Sequence, residues 1–161
     1  MKITTRLFLI ACLALPLLTA CKEEAPAKVE VAALTAPKTA DENEWNLYLT
    51  DVVKRNADGA TSMYAYTLPV DTAPDFQGYY DRQLEKAKLD VARGGVEGTL
   101  LAFGSPTSAK SADLAIASFA DAATDTMKGV KVLFVGDAAD NARVKAAVEP
   151  TGATYQFIEA K

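Results

Sequence analysis

The sequence predicts an α/β fold: a single small domain of about four mainly parallel strands alternating with about four helices. Three observations carry this prediction. Thr99–Phe103 and Val130–Val135 are runs of strand length that are apolar apart from Thr99 and Lys131, the pattern of strands buried on both faces. Segments with apolar residues at helical spacing separate these runs from each other and from shorter strand-like stretches on either side. Alternation at these lengths suits a parallel sheet with right-handed crossovers. No repeat interrupts it, and no second domain is expected.

The elements follow in order. Residues 42–56 form the first helix, because Trp45, Tyr48, Val52 and Val53 share one face and Asp41 with Glu44 has capping-box spacing. Asn56-Ala57-Asp58-Gly59 ends it. Ser62 to Leu68 reads as a short strand stopped by Pro69. Phe76, Tyr80, Leu84, Ala87 and Val91 mark a second helix, closed by Gly94-Gly95. After the strand at Thr99–Phe103, Ser108 or Ser111 is placed to cap a third, alanine-rich helix carrying Ala112, Ile116, Phe119 and Ala123 on one face. The strand at Val130–Val135 leads to a helix over 139–148, stopped by Pro150 and Gly152. Residues Ala153 to Ile158 make the last strand.

Composition narrows the chemistry. The chain has no histidine. Ser-His-Asp and Cys-His nucleophile systems are therefore excluded, as are histidine bases and the usual zinc and copper sites. No cofactor and no metal is expected. With 17 basic against 21 acidic side chains and no basic run, the chain is poorly suited to nucleic acid or to an anionic membrane surface.

The first 21 residues carry an address. Lys2 and Arg6 precede an apolar run from Leu7 to Leu18, and Leu18-Thr19-Ala20-Cys21 closes it. This has the basic, apolar and small-residue parts of a secretory leader. The apolar run is about a dozen residues, short of the roughly 20 that span a bilayer. The motif resembles the lipobox of bacterial lipoproteins. That resemblance implies cleavage between Ala20 and Cys21 and acyl chains on Cys21 that hold the protein to a membrane. Leu9-Ile10-Ala11-Cys12 has a similar look but leaves an apolar region of only about five residues, below the usual 7–15. Lys22, where inner-membrane retention typically has Asp, points by the same resemblance to the inner leaflet of the outer membrane of a Gram-negative host, facing the periplasm. Residues 1–20 are then the signal peptide, 21–41 the lipidated cysteine and a flexible Ala/Pro/charge-rich tether, and 42–161 the α/β domain. The processed chain keeps 15 basic and 21 acidic side chains, a net charge of −6. With both cysteines accounted for, no thiol is left for a disulfide or redox role.

Two groups of residues are candidate sites. In a parallel sheet, a ligand crevice is expected beyond the carboxyl ends of the strands, near a switch in strand order. The residues there are Asp71, Asp75, Ser105, Thr107, Lys110, Asp137 and Asp140. Gly104 to Ser111 also has the span of a P-loop, but Ala109 stands where the second glycine belongs, and backbone amides must wrap closely around phosphate. An ordinary helix cap is the better reading, and nucleotide is not expected. Asp137, Asp140 and Asn141 lack the ligand spacing of a calcium loop and read as cap and dipole residues. The second group is aromatic: Trp45, Tyr79 and Tyr80 could form a patch, because adjacent Tyr79 and Tyr80 cannot both face the core of one helix.

The expected function is a lipid-anchored, periplasm-facing binding or accessory module whose partner is another envelope or periplasmic protein, in an inhibitory, immunity or assembly role. The alternatives are a small-ligand sensor or a carboxylate/Lys-based enzyme using the strand-end crevice, and a structural envelope lipoprotein.

Overall fold

The computed structural model describes residues 32–161. The lipobox-like motif, Cys21 and the first part of the tether lie outside the described residues.

The order of elements is α1 (Glu42–Arg55), β1 (Ser62–Tyr66), α2 (Phe76–Ala92), β2 (Thr99–Gly104), α3 (Ser108–Phe119), β3 (Val130–Gly136), α4 (Ala138–Val148), a single 3-10 turn (Glu149–Thr151) and β4 (Thr154–Glu159). The four strands form one sheet in the order β1-β2-β3-β4, every pair parallel. The register sets Ala65 beside Ala102 and Ala102 beside Leu133. This is the predicted α/β architecture, with four parallel strands alternating with four helices.

Sequential winding decides where the helices go. Each crossover between parallel strands turns the same way, so the three crossover helices α2, α3 and α4 share one face. There Ala87, Val91, Leu114, Phe119, Val144 and Val148 pack on Tyr66, Leu101, Phe103, Val132 and Phe134. The helix before the sheet, α1, takes the other face. Its Trp45, Tyr48, Leu49, Val52 and Val53 pack on Leu100, Ala102, Leu133 and Val135. Neighbouring residues of β2 and β3 thus serve opposite layers, which is why Leu100 to Phe103 and Val132 to Val135 are consecutively apolar.

Local chemistry agrees at the start of α1. Asp41 Oδ1 accepts the Glu44 N–H at 2.9 Å. The reciprocal arm is redirected, because Glu44 Oε2 accepts from the Thr39 hydroxyl at 2.6 Å. Residues 32–41, the described part of the expected tether, carry no helix or strand, yet they are fastened to the domain. Ala36 N–H donates to the Lys161 carbonyl at 2.8 Å, Leu34 N–H to Asp51 at 3.0 Å, and Trp45 Nε1 to the Thr39 carbonyl at 2.9 Å. The Arg55 guanidinium, followed by the Leu34 N–H, holds the Asp51 carboxyl below its ordinary value.

Candidate functional site

The carboxyl ends of β2 and β3 feed directly into α3 and α4, and their side chains are tied to one another. Thr107 occupies the N-cap position of α3 but makes no side-chain cap bond. Its hydroxyl instead lies 3.4 Å from both the N–H and the carboxylate of Asp71. Ser108, expected to cap α3, does something else. Its buried hydroxyl donates to Asp140 Oδ2 at 2.6 Å and accepts the Asp137 N–H at 2.8 Å, lashing the start of α3 to the start of α4. Ser111, the other expected cap, is buried in the first turns of α3, and its Oγ has no partner among the described residues.

Arg143 completes this network. It reaches Asp140 at 2.9 Å and, on the preceding helix, the Ala109 carbonyl at 2.8 Å and the Asp113 carboxylate. Asp113 is the leading cause of the guanidinium's raised pKa. Ser105 is buried and donates to the Thr107 carbonyl at 3.2 Å. The amides of Lys110 and Ser111, which a P-loop would turn toward phosphate, both donate to the Thr107 carbonyl. Asp137 sits at the N-cap position of α4 without a side-chain cap bond. Asp75 sits likewise before α2 and pairs with Arg82 at 3.2 Å.

The structure therefore brings Asp71 to Thr107 and Asp140 to Ser108, while Asp75 is engaged on α2 and Lys110 is half-buried on α3. A strand-end crevice also needs a reversal in strand order that splays two connections apart. The order β1-β2-β3-β4 contains no reversal. Among the described residues the expected switch point is therefore absent, for a topological reason that no local motif reveals.

The aromatic group does not assemble either. Trp45 is buried on α1 with Tyr48, ring centroids 5.7 Å apart. Tyr79 and Tyr80 belong to α2, across the sheet. Tyr79 is 40% exposed with the Arg82 guanidinium 4.8 Å from its ring centre, and Tyr80 packs against the core beside Phe76. Burial, then Asp113 and Asp81, raises the Tyr80 pKa. The expectation that one tyrosine of the pair faces outward is met by Tyr79.

Hollows lie elsewhere among the described residues. One of about 290 Å³ sits between the C-terminal ends of α2 and α3, walled by Val91, Ala92, Gly94, Ala122 and Ala123 with the Lys88–Asp121 ion pair at its rim. It shares Lys88 and Ala92 with a shallower groove of about 440 Å³ beside Leu84 and Leu89 on the outside of α2. Leu89 is 57% and Val96 61% exposed. The position of Leu89 was legible, since it falls off the stripe Phe76-Tyr80-Leu84-Ala87-Val91. A third hollow, about 530 Å³, lies at the amino ends of the strands. Lys131 Nζ bonds there to the Asn56 carbonyl and to Asp58.

Among the described residues no cluster of three or more Cys, Asp or Glu is arranged to hold a metal ion. No helix of the described residues is long and apolar enough to cross a membrane. No protein-family model, no curated protein and no solved structure matches this chain.

Proposed function

We propose that this protein is a lipid-anchored binding or accessory module of the bacterial envelope. In this reading Cys21 carries the acyl chains, the inner leaflet of the outer membrane is the address, and the α/β domain contacts another envelope or periplasmic protein. One observation carries the contact role. The polar side chains at the strand ends are largely engaged in structural bonds, whereas the C-terminal half of α2 presents exposed Leu89 beside a slot walled by small residues, and Val96 stands exposed in the loop that follows α2. Apolar surface next to such a slot suits a protein contact better than it suits chemistry. The lipobox resemblance of Leu18-Thr19-Ala20-Cys21 supports the anchor, and two or three acyl chains bind far more firmly than the marginal hold of one.

Photo-cross-linking from position 89 in intact envelopes tests the contact. The expected result is one defined protein adduct, reduced at least tenfold when Val96→Asp is added and diminished in Cys21→Ala. A small molecule co-purifying with the domain, together with no protein adduct, would overturn the module in favour of a sensor or enzyme. The anchor has a separate readout: labelled palmitate should enter the wild type and not Cys21→Ala.

A further inference from the structure

The two edges of the sheet are treated differently. The β4 edge ends in Glu159 and Lys161, and the segment before α1 seats the Ala36 N–H on the Lys161 carbonyl. The β1 edge has no strand partner among the described residues. Its five residues, Ser62-Met63-Tyr64-Ala65-Tyr66, include no charge and no proline, and they pair with β2 in continuous register without a bulge. Proteins usually protect an open edge with one of those three devices.

The face above β1 is only partly covered. Register places Met63 and Ala65 on the same face as Leu100 and Ala102, the side that α1 covers. The α1 core, however, is built on β2 and β3. Met63 is consequently 47% exposed, and Ala65 is exposed beside it.

We propose that β1 is a self-association edge, through which two copies of this chain pair antiparallel about Tyr64 into one eight-stranded sheet. The strand is self-complementary about that centre. Tyr64 meets Tyr64, Ser62 meets Tyr66, and Met63 lies opposite Ala65, a long side chain over a short one on the partly covered face. Directly opposed like charges would destabilise a cross-strand pair, and a strand with no charge opposes none to itself. Both edges also end together at the same length, about 17 Å for five residues. A generic extended peptide would satisfy the backbone equally, but it would match Met63 and Ala65 only by chance. Two such strands bury less than the roughly 1,200 Å² of a stable interface, so the pairing is weak and concentration-dependent.

The test uses the full chain in detergent, with Cys12→Ser and Cys21→Ser so that introduced thiols stand alone. A tagged Met63→Cys chain is mixed with an untagged Ala65→Cys chain and oxidised. The 63–65 disulfide dimer should exceed either homotypic dimer at least fivefold and increase with protein concentration. As a thiol-free check, sedimentation of the wild type should shift with concentration. Ala65→Lys, at an exposed position where folding is preserved, should abolish the shift. Equal yields in all three thiol combinations, or sedimentation unchanged by Ala65→Lys, would overturn the proposal.

Discussion

At the scale of single residues, the most constrained side chain is Tyr66. It is fully buried in β1, stacks on Phe103 with ring centres 4.8 Å apart, and donates its hydroxyl to Asp90 at 2.7 Å. Lys86 stands 5.6 Å from its ring centre. Burial, followed by the Asp90 carboxylate, raises the phenol's pKa far above its ordinary 10.0. Burial raises Tyr155 to about 12 for the same reason. The sign of the pH effect follows from linkage. A group whose pKa is raised on folding contributes its full stability below the unfolded value, and that contribution is lost as pH climbs beyond 10 toward the folded value. Wild-type stability should therefore fall steeply above pH 10, with tyrosinate absorbance from Tyr66 appearing only on unfolding. Tyr66→Phe should cost about 1–2 kcal/mol at neutral pH, because Asp90 loses a buried donor. It should also flatten the alkaline decline. Denaturant melts of both proteins at neutral pH and above pH 10 check this, and parallel declines would contradict it.

At the scale of elements, the loops at the amino end of the sheet are set by close approach and by handedness. Gly95, between α2 and β2, donates its N–H to the Thr126 carbonyl at 2.6 Å. A methyl group there would lie 2.4 Å from the Lys128 carbonyl oxygen. Gly59, between α1 and β1, has a left-handed φ of +81° and open space where its methyl would go. Gly95→Ala must displace backbone and should cost on the order of 1–3 kcal/mol. Gly59→Ala pays only the left-handed conformation, about 1 kcal/mol. Chemical denaturation of the two variants should rank them in that order. The elements themselves were legible in the sequence to within a few residues. Helices such as α2 announce themselves by a stripe, and β2 and β3 by consecutive apolar residues, Leu100 to Phe103 and Val132 to Val135. The candidate site was far less legible, because its bonds are long-range. Thr107 turns from its own helix to Asp71, 36 residues away, and Ser108 to Asp140, 32 residues away. A cap residue looks the same in sequence whether its hydroxyl serves its own helix or a neighbour's. Trp45 and Tyr79 are alike in this respect, since nothing local tells which side of the sheet α1 will cover.

For the whole molecule, the decisive fact is the order β1-β2-β3-β4, which sends α2, α3 and α4 to one face and leaves α1 alone on the other. Strand order depends on which apolar runs pair, a choice that several similar runs leave open. The unequal layers raise the question of whether α1 is a separable cover or part of one cooperative unit. Both cores are rooted in the same strands: Leu100 and Ala102 serve α1 while Leu101 and Phe103 serve the opposite layer, and β3 alternates likewise through Val132, Leu133, Phe134 and Val135. Removing α1 would bare Leu100, Ala102, Leu133 and Val135, each now at most 1% exposed. Exposing a large apolar side chain costs roughly 1.5–3 kcal/mol, so a state with α1 detached lies too high to accumulate before the sheet melts. Trp45, the one tryptophan of the chain, reports the α1 interface directly. Its fluorescence transition should coincide with that of far-ultraviolet circular dichroism, as two-state unfolding requires. Leu49→Ala, at a side chain 1% exposed, should lower both midpoints together by an amount equivalent to about 2–5 kcal/mol. A fluorescence midpoint that falls ahead of the circular-dichroism midpoint would instead make α1 a detachable cover.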